Sequence, residues 1–431
     1  MAKEEVITGI DVGSSKVTTV VSAYDLSEEV SRVVGVATVP SKGIKKGQVV
    51  DIEAAVEAIT KSVEKAERMA GLTIGTAFVS CGGVHIDCQN SHGMVAVSVP
   101  DKEITEQDID RVMEAARAIS LPSSRELIHA IARFYTVDGQ DGIKDPLGMT
   151  GIRLEVDTHV VSGLATAIRN LAKCVGEVGV DIEAMVFGGL ASCEAVLTDT
   201  EKELGVILVD IGGGTTDICV YVENALSYSA VLPVGAKNVT NDIAIGLRVS
   251  LESAEKIKLS LSKREREVMM PSGKKEKMVK VDEIDLAKIG VYEPVKKISK
   301  RTLIDGIMRP RLLEIFGLIC DEIKKSGFKG MTPAGVVITG GGALTLGVEE
   351  ACRARMALPV RVGCPKQLTG LIDEIKGPDF ATCAGLISFG ARFGEENGRG
   401  FSIGKVGNLR DKIPLKGATK KLVDLFKSFL P

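Results

Sequence analysis

One local device appears twice in this chain and constrains the fold more than any other feature. The apolar run Val6–Ile10 ends in Asp11-Val-Gly-Ser-Ser-Lys16 and resumes as Val17–Val21; Val206–Val209 ends in Asp210-Ile-Gly-Gly-Gly-Thr-Thr-Asp217 and resumes as Ile218–Val222. Two β-rich runs around a tip of small residues read as a β-hairpin. The leading aspartates lie 199 positions apart (210 minus 11), which predicts a duplicated domain and two similar lobes. The length agrees, because 431 residues exceed the roughly 250–300 at which single cores stop growing. A third small-residue loop, Gly340-Gly-Gly-Ala343, follows the apolar strand Gly335–Thr339 and precedes a helix expected around Leu346–Ala357.

A strand that ends in a small-residue tip lets backbone N–H groups approach an anion closely, and phosphate is the natural occupant. The predicted cradle is Gly13, Ser14 and Ser15 from the first hairpin, Gly212, Gly213, Gly214, Thr215 and Thr216 from the second, and Gly340, Gly341, Gly342 and Ala343 from the third loop. Asp11 and Asp210 would face the same phosphates from opposite lobes, hold a hydrated magnesium ion and orient a water. They are therefore the candidate catalytic pair, and Lys16 would offset phosphate charge. A single Gly-rich hairpin is most simply a structural turn; three such loops argue for a ligand. Neither GxxxxGK followed by Ser or Thr, nor a GxGxxG after the first strand, occurs, so P-loop and dinucleotide-type sites lack their required arrangement.

Composition removes other classes. A net charge of -3, five Tyr and no Trp give neither a basic field nor stacking platforms for nucleic acid. Nine cysteines without a CxxC pair fit a reducing cytoplasm better than a disulfide framework or zinc site. The four histidines, His85, His92, His129 and His159, lack metal-ligand spacing and read as structural. The start, Met-Ala-Lys-Glu-Glu-Val, reads as no signal peptide, and no uncharged apolar run is long enough to span a bilayer.

The segments Gly9-Ile-Asp-Val-Gly-Ser-Ser-Lys16, Asp210–Asp217 and Gly340–Ala343 resemble, in the same order, the two phosphate motifs and the adenosine motif of the actin, chaperone and sugar-kinase superfamily. Within it, Gly43-Ile-Lys-Lys-Gly-Gln-Val-Val-Asp51, Asp145-Pro-Leu-Gly-Met-Thr-Gly-Ile-Arg-Leu154 and Leu232-Pro-Val-Gly-Ala-Lys-Asn-Val-Thr-Asn-Asp242 are similar to segments of the FtsA family of bacterial cell-division proteins. The resemblance implies an α/β, two-lobed actin-like ATPase fold with an inserted α/β subdomain and a C-terminal amphipathic helix. Its implied layout is lobe I at 1–81, 162–204 and 382–393; the insert at 82–161; lobe II at 205–236 and 303–381 with a subdomain at 237–302; a linker at 394–417; and a membrane helix at 418–431. It also implies that ATP binds with magnesium and that Lys237, Asn238, Glu255 and Lys258 approach the adenosine. For Glu255 and Lys258 an exposed i,i+3 ion pair is the plain alternative. No general base stands out beyond the three loops, so at most slow hydrolysis is expected.

On a helical wheel, Leu422, Val423, Leu425, Phe426, Phe429 and Leu430 fall on one arc of roughly 160°, with Lys420, Lys421, Asp424, Lys427 and Ser428 opposite. A terminal, basic, amphipathic stretch behind the Gly- and charge-rich segment Gly394–Gly417 reads as an interfacial anchor for anionic lipid. A single anchor of this size binds reversibly, and a filament of linked copies would add avidity. Arg301 and Asp305 open a helical run that Pro310 kinks or restarts. By resemblance this region receives the C-terminal peptide of FtsZ, with an ordinary solvated charge as the alternative. The charged segment Ser262–Lys280, broken by Pro271-Ser-Gly273, reads as a solvated excursion. The predicted protein is thus an ATP-binding adaptor that forms protofilaments with itself on the cytoplasmic face of the inner membrane at the division site, with FtsZ and other division proteins as partners. A scaffold of a pilus or secretion apparatus like PilM, and a small-molecule kinase of the same fold, are the rivals.

Overall fold

The computed structural model describes residues 4–97, 103–118, 121–269, 283–292, 297–366 and 368–398. Two sheets of matching design carry the lobes. In lobe I, β1 (Glu4–Val12), β2 (Lys16–Asp25) and β3 (Val30–Pro40) form an antiparallel meander, and β6 (Thr76–Cys81) and β11 (Asp181–Phe187) continue from β1 in parallel. In lobe II, β12 (Val206–Ile211), β13 (Thr216–Val222) and β14 (Ala225–Leu232) form the meander, and β17 (Val336–Thr339) and β18 (Val360–Val362) continue from β12 in parallel. The orders β3-β2-β1-β6-β11 and β14-β13-β12-β17-β18 are the duplication that the hairpins predict. A short edge strand, β19 (Leu368–Gly370), adds to β3 in lobe I alone.

Strand β2 is buried along almost its whole length, as β-branched strands covered on both faces are. Val17 and Val21 enter the core beneath α1 (Ile52–Ala70), whereas Val20 enters the core beneath α11 (Ala381–Gly398). Helix α1 starts where the Asp51 side chain accepts the Ala54 N–H and stops at Gly71, whose φ of 71° a side chain would strain. The core beneath α1 does not end at lobe I. Ile59, Val79 and Cys193 belong to one apolar cluster with Val206, Leu208, Cys219 and Tyr221 of lobe II, so the lobes share a continuous base. Each such side chain contributes about 1.5–3 kcal/mol on burial, which makes the base far stronger than any polar contact above it. Helices α4 (Gly188–Val196) and α11 pack together there, with α3 (Ala165–Glu177) on the lobe I side and α5 (Asp199–Leu204) against β13 of lobe II.

The insert is a separate sheet of β7 (Asp87–Ala96), β10 (Arg153–Leu164), β8 (Arg125–Val137) and β9 (Gln140–Ile143), backed by α2 (Glu106–Arg117) over its own core of Ile104, Ile109, Val112, Leu154 and Val156. Thr105 and Asp108 close a reciprocal capping box at the start of α2. A minimal hairpin, β4 (Ile44–Lys45) and β5 (Gln48–Val49), precedes α1. Lobe II carries α6 (Ala236–Leu247), α7 (Leu251–Met269), α8 (Arg309–Ser326) and α9 (Val348–Met356), with a ribbon of β15 (Glu283–Asp285) and β16 (Lys297–Ser299); α10 (Ile372–Ile375) lies ahead of α11.

Two sequence readings change. Helix α7 runs on to Met269, so the segment read as a solvated excursion from Ser262 starts as helix, and its remainder to Lys280 lies outside the described residues. Helix α11 reaches Gly398, past Gly394, where the tether was expected to begin. Pro310 neither ends nor restarts the run: a π-helical stretch, Thr302–Met308, passes into α8 without a break, and Pro310 lies just past the change, where Met308 and Arg309 keep helical angles. Among the described residues, no helix is long and apolar enough to cross a membrane.

Candidate functional site

Both hairpin tips close in the same way: Gly13 N–H donates to Lys16 O at 3.0 Å, and Gly212 N–H donates to Thr215 O at 2.9 Å. Both tips sit at the carboxyl ends of strands that run parallel to β6 and β17, where ligands of open α/β sheets bind. They face each other across the lobes. A Cβ built on Gly213 would overlap the Ser15 hydroxyl, and one on Gly214 would lie 3.1 Å from Ser14 Oγ. Lys237 Nζ crosses to donate to Ser14 O at 2.6 Å, while Ala236 and Lys237 N–H groups cap Gly212 and Gly213 carbonyls at 2.9 Å. The third loop completes the convergence: Gly340 has φ of 79°, and a Cβ there would overlap Asp210 Oδ1. Thr216, buried, donates to Val234 O at 2.9 Å and anchors the second tip. Gly341, Gly342 and Ala343 form a single 3-10 turn after Gly340.

The two predicted aspartates are held by hydroxyls. Ser80 donates to Asp11 Oδ1 at 2.6 Å, and Ser192 and Thr382 donate to Asp210 Oδ2 at 2.5 and 3.3 Å. A third carboxylate joins them. Asp217 is the cross-strand partner of Asp210, and its Oδ1 is buried without a hydrogen-bond partner. Burial raises the pKa of all three: Asp11 is raised despite the Ser80 hydrogen bond and the Lys16 charge, Asp210 is pushed up to about 6 by burial and by Asp11, and Asp217 is held well above the usual range by burial, Asp210 and Asp11. Three clustered acids that resist ionising are the electrostatic complement of a cation. Among the described residues no group of three or more His, Cys, Asp or Glu side chains is arranged to chelate a bare ion.

Other predicted residues take definite places. Lys16 Nζ pairs with Asp379 Oδ2 at 2.9 Å and lies 4.2 Å above the Phe380 ring. Asn238 spends its side-chain oxygen on the Gly235 N–H at the start of α6. Lys258 is buried, so the exposed-pair alternative fails for it; it meets Glu255 Oε2 at 2.8 Å and Thr240 Oγ1 at 2.8 Å, and Thr240 donates to Glu255 at 2.5 Å. Arg301 and Asp305 lie one helical turn apart, 3.9 Å between Nε and Oδ2, on an exposed face remote in sequence from the loops. The tail residues Leu422, Leu425, Phe426, Phe429, Leu430, Lys420, Lys421 and Lys427 lie outside the described residues.

Sequence reasoning missed two further walls. The tip of the β4–β5 hairpin reaches the first loop, where Gly47 N–H donates to Ser14 Oγ at 2.9 Å. The turn Pro378–Phe380 reaches all three loops through residues at or beside it. The alternation of Asp210 and Asp217 across a tight hairpin was a usable signal for the third acid; nothing local marks Asp379 as the partner of Lys16.

Comparison with known proteins places this arrangement. A family model described as "SHS2 domain inserted in FTSA" matches residues 83–162, and one described as "Cell division protein FtsA" matches residues 207–385. A cell division protein FtsA of Pseudomonas aeruginosa is 39% identical over 390 residues, which cover 90% of this chain and 89% of that protein. The chain belongs to the FtsA family. The FtsA of Escherichia coli K12 is 32% identical over 400 residues, covering 90% of each chain. Among solved structures, the PilM-PilN type IV pilus biogenesis complex matches with a TM-score of 0.61 at 15% identity, covering 89% of this chain and 98% of that one. MreB 5 of Spiroplasma citri bound to AMPPNP matches with a TM-score of 0.51 at 14% identity, covering 92% and 99%. These likenesses show the fold, which is the two-lobed actin-like one. The FtsA match from residue 207 to residue 385 opens on β12 and closes within α11, so it encloses the second tip, the third loop and the turn at Asp379.

Proposed function

We propose that this FtsA-family chain binds ATP, with magnesium, in the cleft between its lobes and acts as a polymerising adaptor. It would hold FtsZ filaments to the cytoplasmic face of the inner membrane at the septum. The observation that carries this reading is the convergence of three glycine-lined loops, two from one half of the chain and one from the other, on Asp11 and Asp210. Backbone N–H groups at those tips suit phosphate oxygens, and Asp11 and Asp210 suit the water shell of magnesium. Lys237, Asn238, Glu255 and Lys258 would line the adenosine side. A related fold crystallised with AMPPNP supports the choice of nucleotide. Hydrolysis, if Asp11 and Asp210 orient a water, would be slow.

The remaining functions rest on the chemistry of the tail sequence and on the family resemblance. The apolar arc from Leu422 to Leu430, with its lysines, would lie in anionic lipid, and protofilaments would supply avidity. Arg301 and Asp305 would meet the C-terminal peptide of FtsZ, and other division proteins would follow. Cosedimentation of the full chain with anionic liposomes, with and without ATP, tests the reading: wild type should pellet and Phe426→Glu should stay soluble while keeping its nucleotide affinity. Unchanged pelleting by Phe426→Glu would remove the tail from the membrane. The likeness to PilM favours one second reading, a scaffold of a pilus apparatus. Capture by an immobilised FtsZ C-terminal peptide separates the two; the adaptor reading expects capture of wild type and loss with Arg301→Glu.

A further inference from the structure

The turn Pro378–Phe380 is a fourth wall of the cleft. Its Pro378 carbonyl accepts the Gly340 N–H at 3.0 Å and the Thr339 hydroxyl at 3.2 Å, which ties it to the third loop. Its Asp379 carboxylate meets Lys16 Nζ of the first loop at 2.9 Å, while the Phe380 ring lies beneath the same ammonium. Two residues on, Thr382 donates to Asp210 of the second loop at 3.3 Å, and Cys383 Sγ meets Gly9 O at 3.4 Å. Lys16 and Asp379 stay about a quarter exposed, at 25% and 26%, so a solute anion can reach the pair. A partly exposed ion pair of this kind adds little to folding. Its effect on charge in the cleft is larger. Asp11, Asp210, Asp217 and Asp379 surround the site, and Lys16 is the cation that acts on both Asp11 and Asp210.

We propose that Asp379 is the resident counter-ion of Lys16, and that the phosphate oxygens of an incoming nucleotide displace it. Asp379 thereby weakens polyanion binding and sets a threshold for filling the cleft. This rests on the ATP-binding reading. A phosphate group between the Lys16 ammonium and the Gly340–Gly341 turn comes to lie beside the Asp379 carboxylate, because Asp379 borders Gly341. Like charges at that spacing repel, and the ammonium shared between them favours the group with more charge and more oxygens.

The test is a double-mutant cycle on the full chain by titration calorimetry, with Mg-ATP and, separately, inorganic tripolyphosphate. Asp379→Asn should tighten both ligands by about 5–10-fold, as removal of one close like charge does. Lys16→Met should weaken both, and in its background Asp379→Asn should change affinity by less than about twofold. Asp379→Glu keeps the charge and should stay near wild type; Asp379→Ala serves as the second neutral variant if Asp379→Asn misfolds. Weaker binding by the neutral variants would overturn the proposal and make Asp379 a positioning residue. Equal tightening with and without Lys16 would overturn it in favour of bulk charge. If wild type takes tripolyphosphate but not ATP, the cycle still decides the role of Asp379 while the ATP reading fails; if it takes neither, both fall.

Discussion

Asp210 carries the clearest single-residue consequence. Its carboxyl binds its proton more tightly in the folded chain, with a pKa pushed up to about 6, than in the unfolded chain. The folded state therefore holds more protons than the unfolded state between about pH 4 and 6, and this group's contribution to stability falls as pH rises through that window. Asp210→Asn removes the cost. Denaturant unfolding at pH 7 without ligand should find this variant more stable by an amount on the order of 1–3 kcal/mol, with a flatter pH profile from 4 to 6; equal stability would mean the carboxylate is solvated. His85, His129 and His159 act in the opposite direction. Burial lowers each to about 4, so the unfolded chain takes up protons first and stability is lost as pH falls from about 6.5 toward 4. Only the comparison with Asp210→Asn separates these overlapping trends. Asp11 and Asp210 were legible because each ends an apolar run before a glycine tip. Asp217 required knowing the register of the hairpin, and the partnership of Lys16 with Asp379 spans 363 positions, beyond any local pattern.

At the scale of elements, the insert is bound to both lobes. It continues the lobe I chain, and its sheet also packs on β14 of lobe II. His159 lies at the centre of that seam, its Nδ1 at 2.7 Å from Asn90 Oδ1 and its Nε2 at 2.7 Å from Ser229 Oγ. Asn90 Nδ2 and Arg133 Nη2 add bonds to Ser227 at 3.2 Å. Asn90 presents its oxygen to the ring, so His159 carries its proton on Nδ1 and accepts the Ser229 hydroxyl at Nε2. Asn90→Ala leaves that N–H without its acceptor and should cost about 1–3 kcal/mol in chemical denaturation. A cost near zero would show that the seam is solvated. The two hairpins were readable because apolar runs and small-residue tips agree there. The far ends of α7 and α11 were not, because a charged run and a Gly-rich run carry weak periodicity even where the backbone is helical.

For the molecule as a whole, duplication was the most legible property, since one hairpin written twice predicts two sheets of one design, and the sheets match strand for strand from β3 to β11 and from β14 to β18. The apolar base common to both lobes was invisible in the sequence, because Ile59 and Leu208 join one cluster only in three dimensions. That base joins the sheets that carry the two tips, and loops on such a base can grip one ligand from both sides. Hydrogen exchange of the full chain, followed by peptide mass spectrometry with and without Mg-ATP, measures this directly. Added nucleotide should slow exchange together in the tips at 11–16 and 210–217 and in the loop at 340–343. Protection confined to one half of the chain, or none in any of the three, would contradict a single ligand held between the lobes.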